Sequence, residues 1–419
     1  AAATNTFKTN GTSPLSASAQ MGDVLNLGTV KASKLYIEGK NVKVLNTDAV
    51  TDANGTALTG SAVTIRSEDA PHIGYDVGNT TTRNFTINGA TVTKNVSDYK
   101  NADNSKSATT RGWVVKNLGG TAHTDYDYMR VHDVYELQHM DDNQLYDVDP
   151  DKRKILGSYM LADDINASET KDWARGFQPI GDDGRGSFQG RFDGARHTIT
   201  GLTIKPPTDT PGEVSRGMFA YIKYASIENV SLKSASVSGV AEVGGIVGSA
   251  TYSTIRNVSF SGEVHGGGTV VGGIVGTLNK SRIENAYHEG TVEGKKAVGG
   301  IVGYALYLST VQNVRNAGKV LGNEMLGGIG GSVEDSTSVQ NAVQTGDVEQ
   351  RAGQTDSQVG GVVGFLNNAT LNHAVWKEGS VKNGNGDLIR KDIGKKQGNF
   401  TVTDVKEHSL DDMKKAATY

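Results

Sequence analysis

The chain has 419 residues, of which 54 are Gly, 7 are Pro and none is Cys, with 42 Lys and Arg against 46 Asp and Glu for a formal net charge of −4. Without cysteine there is no disulfide scaffold, no thiolate-bound zinc or iron–sulfur cluster and no thiol catalysis. So balanced a charge gives no field to gather nucleic acid or an anionic membrane.

The longest apolar run, Ala297 to Leu308 with its glycines, is 12 residues, short of the ~20 that cross a bilayer, so no membrane insertion is expected. Residues Ala1 to Asn5 lack the charged and apolar regions of a signal peptide, and the chain reads as an internal piece of a longer protein. From its start, Leu25 to Val30, Leu35 to Gly39, Val42 to Leu45 and Val63 to Ile65 are short alternating runs divided by Gly or Asn turns, the pattern of strands. Asn88-Gly89, between the alternating runs Asn84 to Ile87 and Ala90 to Thr93, predicts a two-residue hairpin, antiparallel and so projecting from a parallel stack. Residues 94–120 are polar, and Lys100 to Ser107 reads as an exposed loop. Asp133, with Glu136 three positions later and Val134, Leu137 and Met140 at helical spacing, predicts a short capped helix. Strand alternation resumes at Phe188 to Gly194 and His197 to Ile204.

The second half is a repeat. Val243-Gly244-Gly245-Ile246-Val247-Gly248 returns at Val271 to Gly276, Val298 to Gly303, Leu326 to Gly331 and Val359 to Gly364, with an incomplete copy at Gly217 to Ala220. Between first glycines the steps are 272−244 = 28, 299−272 = 27, 327−299 = 28 and 360−327 = 33. Asn229, Asn257, Asn285, Asn313 and Asn341 recur every 28 residues, and a Gly-x-Val follows in every unit, as in Gly262-Glu263-Val264. The apolar residues are mostly β-branched and separated by Gly, Asn and Ser, which is strand chemistry. A unit of three brief strands cannot bury its own apolar face, so it stacks on copies of itself. The arrangement that satisfies every strand is all-β: a right-handed parallel β-helix, or solenoid.

In that stack the asparagines either form a ladder of amides or serve as left-handed turn formers. His373 takes the position in the last unit, where a ladder should stop. The Gly-Gly hexads are harder to place. Strict alternation puts Ile246 and Val247 on opposite faces, so either the glycines bend or bulge the strand or something covers its outside. A phosphate loop would need a Gly-Lys-Ser/Thr ending, which is missing. The chain is expected to end in a helix capped by Ser409.

No catalytic, cofactor-binding or metal-binding residue is assigned from the sequence, and ligand-binding residues are not legible. His288-Glu289-Gly290-Thr291-Val292 has Val where a His-Glu-x-x-His zinc site needs its second His. Asp163-Asp164 and Asp182-Asp183 lie in connectors where Asp is ordinary turn chemistry. Asp147 to Asp151 imitates a calcium loop but has Lys152 for the required Gly and Ser158 for the closing Glu. His132, His139 and His197 share no ligand spacing. The sequons at Asn79, Asn84, Asn257 and Asn279 follow from composition as readily as from glycosylation.

The hexads resemble the GLUG-motif repeats of large bacterial surface proteins. The succession of Tyr128 to Gln138, Leu161 to Ala167, Gln178 to Gly181, Phe188 to Gly194 and then the repeats is similar to filamentous-haemagglutinin-type exoproteins, over roughly residues 24 to 419. That resemblance implies a secreted or bacterial cell-surface adhesin without enzymatic activity or cofactor, exported through an outer-membrane partner transporter by two-partner secretion, and touching a host glycan or surface protein. The alternatives are a segment of a polysaccharide- or immunoglobulin-degrading enzyme, or an exoprotein that captures a haem carrier. The expected layout is solenoid turns and a hairpin over 1–93, a loop-rich insertion with a short helix over 94–185, GLUG-type repeats over 186–381 and a C-terminal segment over 382–419.

Overall fold

The structure is a computed structural model that describes backbone and side chains over 158–181, 186–206, 215–355 and 358–413 and at several positions from 131 to 140. Between 15 and 155 it otherwise describes backbone strands alone, and it follows the backbone of the last helix to residue 416. The chain divides into two units: Ala1–His139 with Gly157–Ile165 and Phe192–His197, and Met140–Leu156 with Asn166–Arg191 and Thr198–Tyr419.

In the first unit, Leu15–Ser18, Leu35–Gly39 and Val63–Ser67 pair in parallel, Leu15 beside Leu35 beside Val63. Asp23–Leu25, Asn41–Val44 and His72–Ile73 form a second parallel ladder, and Val30–Lys31 with Val50–Thr51 a third. The described parts of the alternating runs therefore pair in parallel, as stacked turns do. Thr82–Ile87 lies antiparallel to Ala90–Asn95 with Ile87 opposite Ala90, the strand pair expected on either side of Asn88-Gly89, which themselves lie outside the described residues. Lys100 to Ser107 lies outside the described residues, but Trp113–Asn117, within the stretch read as polar loop, is a strand antiparallel to Asp125–Val131. Trp113, Val114 and Val115 carry enough aromatic and β-branched character to override their polar surroundings. Asp133 caps the helix Val134–Gln138, its Oδ1 accepting from the amides of Tyr135 and Glu136 at 2.9 Å each.

The second unit stacks about seven turns as a parallel β-solenoid. Its longest ladder passes from Ser231–Gly239 through Thr254–Gly266 and Arg282–Glu293 to Thr370–Lys377 and Thr401–His408. A short ladder joins Glu242–Gly244 to Val270–Gly272 and onward to Val359–Gly360. The remaining ladder runs from Phe219–Lys223 through Val247–Thr251 and Val275–Asn279 to Ile393–Gln397. Matching positions form columns of fully buried side chains: Val264, Val292, Val320 and Val348 from the Gly-x-Val landmarks, and Ile227, Ile255, Ile283, Val311 and Val339 from the segments before each Asn. Each valine so enclosed contributes roughly 2 kcal/mol.

The hexad is a corner. Val243 and Gly244 end one strand, Gly245 and Ile246 turn, and Val247 begins the next, so Val243, Ile246 and Val247 are all buried without violating alternation on either strand. The second glycine of each hexad has its own cause, because a column of large side chains crosses the interior toward it. Phe260, His288, Asn316, Gln344 and Trp376 occupy one register position in successive turns. A Cβ on Gly245 would lie 2.5 Å from Phe260, and one on Gly273 would lie 2.6 Å from the His288 ring, while Gly300, Gly328 and Gly361 face Asn316, Gln344 and Trp376 in the same way. The polar members are linked in a chain: His288 Nδ1 donates to Asn316 Oδ1 at 2.7 Å, and Asn316 Nδ2 donates to Gln344 Oε1 at 2.8 Å, while His288 Nε2 and Gln344 Nε2 are buried without a hydrogen-bond partner.

The asparagines play both roles foreseen for them. All five are left-handed, with φ of 54 or 55°, and the amides of Asn257, Asn285, Asn313 and Asn341 each donate to the Oδ1 one turn back, at 3.0, 2.9, 3.1 and 2.9 Å along the column. The left-handed residue breaks the simple alternation of the strand, since it turns the chain so that Ile255 and Val258 are both buried while Asn257 stays exposed. His373 keeps the conformation at φ 51° and ends the ladder. Asn285→Ala is expected to cost about 1–2 kcal/mol, through two amide bonds and a backbone that alanine dislikes, read by urea denaturation. His373→Asn should extend the ladder to Asn341 and raise stability by about 1 kcal/mol, seen as a higher Tm.

At the C-terminal end, Ser409 caps the helix Leu410–Ala416: its hydroxyl donates to Asp412 Oδ2 at 2.7 Å and accepts from the Asp412 amide at 3.3 Å.

Candidate functional site

Among the described residues, the carboxylates and histidines singled out from the sequence do not gather into one site. Within the first unit His197 Nδ1 lies 3.3 Å from Asp164 Oδ1, but the Asp164 side chain is 76% exposed, an ordinary screened surface pair. The side chains of Asp147 to Asp151, Asp182, Asp183, His132 and His139, and the sequons at Asn79 and Asn84, lie outside the described residues. His288 is enclosed in the solenoid while Glu289 points outward and accepts from the Tyr287 hydroxyl at 3.0 Å, because a strand sends neighbours to opposite faces. They cannot share a metal. Among the described residues no group of three or more His, Asp or Glu is placed to hold one. At the Asn257 sequon the side-chain amide already donates within the ladder.

What the second unit does assemble is an exposed corner, where the strands ending at Lys223, Thr251, Asn279 and Leu306 turn toward the long ladder. Serine chemistry fixes this bend from inside. The Ser253 hydroxyl accepts from the Ala225 amide at 3.1 Å, the Ser281 hydroxyl from the Ser253 amide at 2.9 Å, and the Ser309 hydroxyl from the Ser281 amide at 3.2 Å. Outside it stand Tyr224, Tyr252, Lys280 and Tyr307, all left-handed at φ 53, 50, 48 and 52°, with Leu308 beside them at 63°.

Tyr224 is 62% exposed, Tyr252 45%, Tyr307 47% and Leu308 72%, so three of four successive turns put apolar surface into solvent at one edge, and the fourth puts Lys280 there. The Tyr224 and Tyr252 rings stack with centroids 5.1 Å apart and planes 14° from parallel. Lys280 Nζ donates to the Tyr252 hydroxyl at 3.0 Å and lies 5.2 Å from that ring's centroid, while Lys223 Nζ lies 5.5 Å from the Tyr224 centroid. The hydrogen bond to Tyr252 is the largest influence holding the Lys280 ammonium above its ordinary range, so the group stays charged. In the next turn Glu334 and Asp335 bring negative charge, and burial with Glu334 nearby pushes the Tyr304 phenol up to about 12. The sequence reading missed this corner, although Tyr224, Tyr252 and Lys280 keep the same 28-residue step as the asparagines.

Residues 239–264 match the family model described as the GLUG motif, and they hold the first complete hexad and the strand after it. The chain is thus a parallel β-solenoid carrying that motif. Over 123 residues it is 37% identical to halomucin of Haloquadratum walsbyi, a match that takes in 28% of this chain and 1% of that protein's length. A crystal structure of a candidate immunoglobulin A1 protease from Bacteroides ovatus superposes with a TM-score of 0.49 at 18% identity, over 68% of this chain and 86% of that one. Among the described residues no helix is long and apolar enough to cross a membrane.

Proposed function

We propose that this chain is a non-catalytic contact module of a secreted or cell-surface protein, an adhesin of the filamentous-haemagglutinin kind that presents fixed columns of side chains to a host or neighbouring cell. The observation that carries this reading is the Tyr224–Leu308 corner. Hydrogen-bonded turns hold it rigid, it exposes aromatic and aliphatic surface that folding alone would hide, and its groups suit contact rather than turnover. Export through an outer-membrane partner transporter belongs to the same proposal.

The purified chain should bind saturably to epithelial or bacterial cell surfaces in a solid-phase adhesion assay, and should leave immunoglobulin A1 and plant polysaccharides uncut after prolonged incubation with and without Ca²⁺. Cleavage of either substrate by the pure chain would replace this reading with an enzymatic one.

A further inference from the structure

The exposed corner carries a more specific assignment, which rests on the reading as a contact module. We propose that Tyr224, Tyr252, Lys280, Tyr307 and Leu308 form a binding site for a linear acidic polysaccharide lying along the solenoid axis.

The first argument is conformational. Left-handed backbone suits Gly, Asn and Asp, and the left-handed column on the long ladder accordingly uses Asn in five successive turns. At this corner the later turns also use residues that fit, Asp335 at φ 53° and Asn368 at φ 49°. Tyr224, Tyr252, Lys280 and Tyr307 gain nothing from the geometry. Three tyrosines held at a strained position and turned to solvent are a sign of function outweighing fold.

The second argument is chemical. A pyranose ring offers a face of C–H groups that packs against the negative face of an aromatic ring, and its hydroxyls match the phenols at the ring edges. Lys223 and Lys280 place ammonium groups beside those rings, where a carboxylate or sulfate on the sugar would sit. Spacing favours a chain over a single sugar: from Tyr224 to Tyr307 is three turns, about 14 Å at the separation of paired strands. A single-stranded nucleic acid would need a continuous positive groove. Here Glu334 and Asp335 follow directly, and side chains standing this far into solvent form a ridge, which gives an apolar peptide no groove to enter.

The test is calorimetric titration of the intact chain with oligogalacturonate, heparin oligosaccharide, neutral cello-oligosaccharide and single-stranded DNA. Saturable binding of oligogalacturonate or heparin is expected, about tenfold or more tighter than the neutral oligomer, and which of the two binds identifies carboxylate or sulfate as the recognised group. Tyr252→Asn should weaken that binding about tenfold while leaving Tm equal or higher, because Asn relieves the backbone that Tyr strains. Lys280→Met should abolish the preference for acidic over neutral sugar. Wild-type affinity in Tyr252→Asn, equal binding of neutral and acidic oligomers, tighter binding of DNA, or no saturable binding of any sugar would each overturn the assignment. The cell-adhesion assay with the same variants separates the two claims: adhesion that survives Tyr252→Asn removes this site and leaves the contact module standing, whereas a wild-type chain that does not adhere removes the contact module itself.

Discussion

Gly273→Ala is expected to lower the free energy of unfolding by about 3 kcal/mol, read as a shift in the urea midpoint at unchanged slope. The added methyl would stand 2.6 Å from two atoms of the His288 ring and collide with the carbonyl oxygen of Gly300 in the following turn. Neither neighbour can yield. The His288 ring is hydrogen-bonded to Asn316 at 2.7 Å, and Gly300 is tied to the turn beyond it by its amide, which donates to the Gly327 carbonyl at 3.3 Å. Gly379→Ala is the control. That residue has φ +70° but nothing within 4 Å of where a Cβ would be, so only backbone strain applies and the loss should stay near ~1 kcal/mol. Equal losses at the two positions would remove the packing explanation of the hexad.

Lowering the pH from 7 to 4 is expected to remove about 3 kcal/mol of stability through one residue, His288. Burial pushes its imidazole down from 6.5 to about 4, against a smaller opposing effect of the Asn316 hydrogen bond. Because Nδ1 donates to Asn316, a second proton would have to go to Nε2, which is enclosed without a hydrogen-bond partner. The unfolded chain takes that proton near the ordinary value of 6.5 and the folded chain does not. The stabilising contribution is therefore complete above about pH 6.5, declines as the pH falls, and is exhausted once the folded-state value near 4 is passed. His288→Phe continues the column begun by Phe260 and leaves Asn316 Oδ1 accepting from the Gly318 amide at 3.0 Å. Denaturation curves at pH 7, 5.5 and 4 should show this variant lacking most of the wild-type decline. Carboxylates such as Glu293, held low chiefly by Arg351, lose their contribution in both proteins and cancel in the comparison.

Much of this was legible in the sequence because a solenoid writes its register directly into periodicity. The 28-residue step gave the stacking, the Asn column and the end of the ladder at His373, and Asn88-Gly89 and Asp133 announced their hairpin and cap by local chemistry alone. The meaning of Gly-Gly in the hexads was not legible, since its cause is a side chain fifteen or sixteen positions downstream, such as His288 for Gly273, reached only after the chain has come back around. The interior column was hidden for a related reason: Phe, His, Asn, Gln and Trp share a position but no chemistry. The tyrosine corner was overlooked because it varies from turn to turn, and variation within a regular scaffold is where a surface acquires its own character.

Among the described residues of the second unit, strand pairing between turns joins adjacent turns alone, and it has a mechanical consequence. Tension applied along the axis meets the ladders in peeling geometry, one row at a time, so the stack would come apart coil by coil. Most coils that let go free 27 or 28 residues, and the one with the insertion frees 33, which lengthens the tether by about 90 Å or somewhat more each time. A tether built this way lengthens under load in nearly even steps, keeping the turns still wound, and whatever surface they carry, in working order.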